Sequence, residues 1–249
     1  MTQSTATSAG WIWDIGLINR KGIGHVYSSR HTTEAKPEAE LEKYLGKKVM
    51  KAAEISKIPV RPGHRDHPWE RNSVVIDLSA GFLEPLESSA IVQVELSAEW
   101  LCDQLPETMD IISKRFNEEF TYRWSRIIDF LKLHYVLNQR NDNDFLIENR
   151  HPDSIPESLQ ESLELWKFHY PWSHDFNRSN EIFCAASYQY ILSGMGFKTQ
   201  PYQKALEAEQ KQAYAYVLKN KSTAEKLVKS LPNHRELLNR IRKYGLEAI

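Results

Sequence analysis

The sequence predicts an α+β fold, with a small antiparallel β part at the N-terminus completing a larger sheet and a mostly helical domain following it. Three observations carry this expectation. In "GWIWDIGL", Trp11, Trp13, Ile15 and Leu17 alternate in the period of a half-buried strand. Beyond Pro85, apolar residues recur at helical spacing over long stretches. The 249 residues, 41% hydrophobic and 26% charged, are enough for a sizeable core and exclude a disordered chain. The expected division is residues 1–89, rich in β structure, and residues 90–249, helical.

Each element follows from local chemistry. "NRKG" supplies a turn after the first strand, and "IGHVYSS" returns as the second strand of a hairpin. Such a hairpin carries more apolar surface than it can hide alone, so further covering is expected. "PEAELEKYLG" is a short helix, with Pro37 in its first turn and Gly46 as its stop. Three prolines keep "KIPVRPGHRDHPW" extended or looped. "NSVVIDLSAG" is expected to be a buried strand. Next comes a helix with Ile91, Val94, Ala98 and Leu101 on one stripe, ended by Pro106. Ile112, Phe116, Phe120, Trp124, Ile127 and Leu131 mark one long helix or a kinked pair. Leu159, Leu163 and Trp166 mark another. The aromatic loop "FHYPWSHDF" is expected to be core. "SNEIFCAASYQYILSGMGF" is a helix stopped by Gly194 and Gly196, and two or three polar helices from Gln203 to Tyr244 follow, broken at Pro232.

Composition removes whole classes of function. A net charge of −1 gives no electrostatic footprint for nucleic acid or an anionic membrane. "MTQSTATSAG" lacks the basic and apolar regions of a signal peptide, and no apolar run is long enough to span a bilayer, so a cytoplasmic location is expected. Cys102 and Cys184 sit in apolar helical contexts and are expected to be buried free thiols. "GIGHVY" has two glycines but no third, and a strand rather than a helix follows, so it is no phosphate cradle.

The remaining candidates are carboxylates and histidines. In "GFLEPLESSAI", Glu84 and Glu87 flank Pro85 and Leu86 at a helix start. One reading makes Glu87 a cap facing the positive end of the helix dipole. The other makes this strand-to-helix joint a place where free N–H groups meet an anion and small residues let a cofactor approach. Local chemistry leaves both open. His64 and His67 have a metal-like spacing in a proline-rich loop, where solvated surface is the commoner outcome.

Several stretches together resemble the flavin-dependent tryptophan halogenases. "GWIWDIGLINRKGIGHVYSS" is similar to that family's Trp-x-Trp-x-Ile-Pro segment, and "SAGFLEPLESSAI" resembles its Phe-x-Glu-Pro-Leu-Glu-Ser motif. "FNEEFTYRWSRIIDFLKLHY" and "IFCAASYQYILSGMGF" resemble later helices, so the likeness runs from about Gly10 to about Pro201. The resemblance implies FAD as cofactor, reduced by a separate flavin reductase, chloride or bromide as halide, and a small aromatic substrate such as tryptophan or an indole. It implies Glu87 as the working carboxylate, Ser89 and Ala90 at the halide, Ala80, Gly81 and Pro85 beside the cofactor, and Trp11, Trp13 and Phe82 on the substrate side. It also places the FAD fingerprint and a catalytic lysine before the matched stretch. The chain is therefore expected to be the C-terminal part of such an enzyme, inactive alone, with a possible separately encoded flavin-binding portion as partner. The alternative is a non-catalytic helical interaction module built on the same scaffold. Gly16, Asp77, and the Ser89–Ala90 pair depart from the family's proline, glycine and Thr-Gly.

Overall fold

The computed structural model describes residues 2–17, 19–104, 109–176, 178, 180–200 and 207–245. The fold is α+β as expected. Three antiparallel strands, β1 (Thr2–Ala6), β2 (Gly10–Gly16) and β3 (Lys21–Tyr27), form one sheet in the order β1-β2-β3. β2 and β3 are the expected hairpin, in a register that sets Trp13 opposite Gly24 and Ile15 opposite Gly22. The glycines of "GIGHVY" have a packing reason, because a Cβ on Gly24 would lie 2.3 Å from the Trp13 ring. β1 was not expected. Its Thr, Ser and Gln residues carry no apolar alternation, and it joins through backbone pairing alone.

The single apolar face expected for β2 is not what forms. Trp11, Ile12 and Asp14 are all buried, while Ile15 and Leu17 are exposed. Both faces are covered near Trp11, and neither is covered near the turn. Part of the covering is α1 (Ala35–Leu45), which ends at Gly46 with φ 81° as expected. It meets the sheet through polar contacts: His25 Nδ1 donates to the Pro37 carbonyl (3.1 Å), and Tyr44 O–H donates to Asp14 (3.2 Å). A second short helix, α2 (Lys47–Ala52), follows directly.

Residues 53–88 hold only two-residue strands: β4 (Gly63–His64) paired with β7 (Gly81–Phe82), and β5 (Trp69–Glu70) paired with β6 (Ser73–Val74). "NSVVIDLSAG" is thus no continuous strand. Asp77 has φ 60° and turns the chain into a 3-10 turn, Asp77–Ser79. The next helix, α3 (Ser89–Gln104), starts later than Pro85 suggests, because Glu87 and Ser88 are left-handed (φ 60° and 54°) and cannot continue a right-handed helix. Its buried stripe is Ser89, Gln93, Ser97 and Leu101, which shares only Leu101 with the expected one, and Ile91 is 71% exposed. Among the described residues the buried Gln93 amide has no hydrogen-bond partner. Pro106 lies outside the described residues.

The long helix is one piece, α4 (Met109–Val136), and all six residues of its expected stripe are buried. They form the core with Trp69, Ala80, Leu159 and Trp166, the last two from α6 (Glu157–Trp166). A short α5 (Asp144–Glu148) begins at Asn143, whose side chain accepts from the Leu146 N–H (2.8 Å). Asp129, 2% exposed, ties α4 to α6 by accepting from Ser158 Oγ at 2.8 and 3.0 Å, with Arg126 alongside. α7 (Ala185–Gly194) closes this part of the core through Tyr188 and Leu192, and Gly196, φ 75°, stops it. The aromatic loop is core only in part: Phe176 packs against the core, while Phe168, Tyr170 and Trp172 are each more than half exposed. The cysteines are free, but both are exposed rather than buried.

Residues 1–200 and 201–249 are separate compact units. Among its described residues the second holds two helices, α8 (Glu207–Ser230) and α9 (His234–Tyr244), either side of the expected break at Pro232. No described helix is long and apolar enough to cross a membrane.

Candidate functional site

The Glu-Pro-Leu-Glu motif sits where the β part meets the end of α4, and two consecutive residues of that helix address its two carboxylates. Tyr135 O–H donates to Glu84 Oε2 at 2.7 Å, and Trp11 Nε1 of β2 donates to the same oxygen at 2.9 Å. Glu84 thereby joins three segments remote in sequence. Burial, and then the neighbouring carboxylate, push the Tyr135 phenol far above its ordinary range. Next to it, His134 Nε2 stands 3.8 Å from Glu87 Oε1. His134 Nδ1 donates to the Phe130 carbonyl (2.9 Å), so Nε2 is the bare nitrogen of the neutral ring and becomes a donor to Glu87 only in the imidazolium.

Glu87 does not act as the helix cap. Its own backbone is left-handed, and among the described residues its carboxylate accepts no backbone N–H. Its side chain is 43% exposed. A left-handed residue without glycine costs about 1–2 kcal/mol, and Glu87 and Ser88 carry two in a row. The chain then switches to right-handed at Ser89 (φ −57°, ψ −30°), where α3 begins. A left-to-right succession of this kind turns neighbouring N–H groups into a concavity suited to an anion, and the 16-residue α3 adds its positive end. Ser89 is buried and Ala90 half-buried.

The other sequence candidates do not all converge there. Ala80 is 2% exposed and belongs to the core. Gly81 is needed for close packing, since a Cβ would lie 2.6 Å from His64 Cβ and 2.8 Å from the Trp124 ring. His64 stacks on Trp124 at 5.2 Å, and His67 is exposed, so the pair is not drawn together as ligands. Pro85 is exposed and Phe82 half-buried in β7. These residues fit an anion at α3 but form no flavin cradle: Ala80 is enclosed, Gly81 is filled by its neighbours, and Pro85 stands open. Two cavities of about 390 and 500 Å³ lie elsewhere, the first lined by Trp100, Arg115 and Glu119, the second by Leu137, Arg140 and Met195. Neither includes Glu87.

His134 and Tyr135 were missed by sequence reasoning. Nothing in "LKLHYV" separates them from other polar positions of a long amphipathic helix. A second missed cluster is Ser28, His31 and Glu148, in which Ser28 Oγ meets His31 Nδ1 (2.8 Å) and His31 Nε2 meets Glu148 (3.0 Å). Neither described cavity lies there, and its geometry ties the end of β3 to α5.

Residues 1–211 match the family model described as tryptophan halogenase. The chain belongs to the tryptophan halogenase family. A crystal structure of a tryptophan halogenase from Shewanella frigidimarina NCIMB 400 superimposes with a TM-score of 0.93 at 42% identity, covering 98% of this chain and 48% of that one. BrvH, a flavin-dependent halogenase from Brevundimonas sp. BAL3, gives 0.81 at 34% identity over 96% and 48%. The 7-chloro-L-tryptophan 6-halogenase KtzR of Kutzneria sp. (strain 744) is 31% identical over 248 residues, 97% of this chain and 47% of KtzR. This member of the tryptophan halogenase family thus spans about half the length of the relatives it matches.

Proposed function

We propose that the chain is the substrate-side portion of a flavin-dependent halogenase acting on tryptophan, an indole or another small aromatic, with Glu87 as its working carboxylate. The observation that carries this reading is the placement of Glu87: held in a left-handed backbone at the start of α3, free of capping, beside His134. Strained conformations of this kind persist where function needs them.

On this reading residues 1–89 bring the carboxylate to the site, and α3 and α4 back it. Chloride or bromide lies at the N–H groups of Ser89 and Ala90, where the α3 terminus favours an anion. Trp11, Trp13 and Phe82 form the substrate side. Ala80, Gly81 and Pro85 form no cradle, so the flavin, its binding site and its reductase are supplied from outside the described residues, in the cytoplasm.

Given a hypohalous acid, the substrate ring carbon attacks the halogen, the carbon–halogen bond forms as the halogen–oxygen bond breaks and hydroxide leaves, and positive charge spreads over the ring until its proton passes to that hydroxide as water. A carboxylate 4 Å from that charge is worth about 1 kcal/mol in water and about 4 kcal/mol at the effective dielectric of a covered protein site. Glu87 therefore stabilises the cation only when water is excluded from it. Restoring the unmatched half from the Shewanella relative as a fusion tests this. Glu87→Gln is expected to lower halogenated product on the order of a hundredfold while flavin reoxidation and melting temperature stay close to the parent. Unchanged halogenation removes Glu87 from the chemistry, whereas a folded parent fusion that makes no halogenated product leaves the non-catalytic interaction module as the better account.

A further inference from the structure

We infer that Ser28, His31 and Glu148 form a second, hydrolytic site, in which an activated serine takes the acyl group from small activated esters. This activity goes beyond the halogenase reading and needs neither a flavin nor Glu87.

Which atoms meet decides the chemistry. Glu148, the last residue of α5, has Oε2 at 3.0 Å from His31 Nε2, and Arg30 Nη2 lies 3.7 Å from the same oxygen. The hydrogen bond from His31 holds the Glu148 carboxyl below its usual range, and an ionised carboxylate only accepts. Nε2 therefore carries the ring proton, and Nδ1 is the bare nitrogen. That nitrogen stands 2.8 Å from Ser28 Oγ, so the serine hydroxyl donates to it. Nucleophile, base and orienting carboxylate form one chain within hydrogen-bond reach, the arrangement that activates a serine. The ring is turned end for end relative to the Ser-His-Asp triad, and the roles are kept. Phe145, one turn earlier on α5, meets the imidazole edge-on at 5.4 Å, and the His31 side chain is only 13% exposed.

The backbone after β3 supplies the remaining part. His31 N–H donates to the Ser28 carbonyl at 3.0 Å and closes a turn, and among the described residues the N–H groups of Ser29 and Arg30 have no hydrogen-bond partner. Hydrolases of the nucleophile-elbow kind take one oxyanion donor from the residue after the nucleophile, and Ser29 stands there. Neither described cavity lies beside Ser28, so the acyl group is small and the leaving group a good one. Ser28 Oγ attacks the ester carbonyl carbon, and its proton passes to His31 Nδ1. The tetrahedral adduct collapses, the bond to the leaving oxygen breaks, and that oxygen takes the proton, which leaves an acyl ester on Ser28. Water then attacks the acyl carbon and gives its proton to Nδ1. The acid departs as Ser28 Oγ recovers that proton.

The probe is p-nitrophenyl acetate, added to the full 249-residue chain. A burst of about one p-nitrophenolate per chain is expected, with the acetyl group located on Ser28 by mass spectrometry of the quenched protein. Ser28→Ala should abolish both and still fold, because the bond from His31 to Glu148 is kept. His31→Gln should slow acylation by about tenfold or more. Glu148 acts through His31 as a positioning residue, so Glu148→Gln, which keeps an acceptor, should retain more acylation than Glu148→Ala. His234→Gln, at an exposed histidine of α9, should leave the burst intact. A burst that survives Ser28→Ala, or acetyl groups on lysines and other histidines but not on Ser28, overturns the inference. Where acetyl-Ser28 turns over too fast to trap, a fluorophosphonate decides, since its serine adduct does not hydrolyse. It should label Ser28 in the parent and about tenfold more slowly in His31→Gln, and an unlabelled Ser28 in the parent overturns the site.

Discussion

Tyr135→Phe removes one oxygen and leaves the ring, so it isolates the bond that holds Glu84. That bond is 2.7 Å long and runs to the carboxylate oxygen that also accepts from Trp11. Hydrogen bonds to a charged acceptor are worth about 1.5–3 kcal/mol. Glu84 is only half-buried, which places this one toward the lower end, about 1.5–2 kcal/mol. For a chain of this size each kcal/mol moves the melting temperature by about 2–4 °C, so Tyr135→Phe should lower it by about 3–8 °C. The decisive comparison is with Glu84→Ala. Without the acceptor, the phenol has nothing to donate to, and Tyr135→Phe should become neutral or slightly stabilising. A double-mutant cycle by urea denaturation should therefore give a coupling of about 1–2 kcal/mol. Alkali supplies a second readout. The phenol's ionisation is raised in the folded state, so its contribution is complete below about pH 10, the unfolded value, and is lost as pH rises through the folded value. The wild-type chain should lose stability above about pH 10, and Tyr135→Phe should lose less. An equal cost of Tyr135→Phe with and without Glu84 would refute the carboxylate tie.

Gly81→Ala should cost about 1–3 kcal/mol by overpacking, because its Cβ meets His64 and Trp124 at under 3 Å; a melting curve within 1 °C of the parent would count against that packing. His25 is held below its ordinary range by burial, with the Pro37 carbonyl and Glu40 opposing, so the sign is that of a depressed group. Its contribution is present above about pH 6.5, the unfolded value, and falls away as pH drops through the folded value. The melting temperature should decline from pH 7 toward pH 5, and His25→Gln should flatten that decline.

Much of the fold was legible because amphipathic periodicity is a local property. The stripe from Ile112 to Leu131 predicted α4, and all six residues are buried. Gly46 and Gly196 stop their helices with positive φ, as their place at the helix ends suggested. Periodicity failed where burial was decided by neighbours. α3 turns Ser89, Gln93 and Ser97 inward and Ile91 outward, because helix phase is set by what α4 and the 3-10 turn present to it. β1 has no apolar signal, because backbone pairing to β2 requires none. Phe168, Tyr170 and Trp172 look like core by composition yet stay exposed, while Phe176 of the same loop packs on Tyr188. The candidate site divides the same way. The motif from Gly81 to Ala90 was readable in the chain, whereas the left-handed turn at Asp77 was not, since its surroundings read as a strand. That Glu84 is clamped by residues 73 and 51 positions away, and that His134 faces Glu87, was not readable. Sequence determines which segments fold and which of their faces are apolar; only closure of the chain in three dimensions sets which polar groups finally meet.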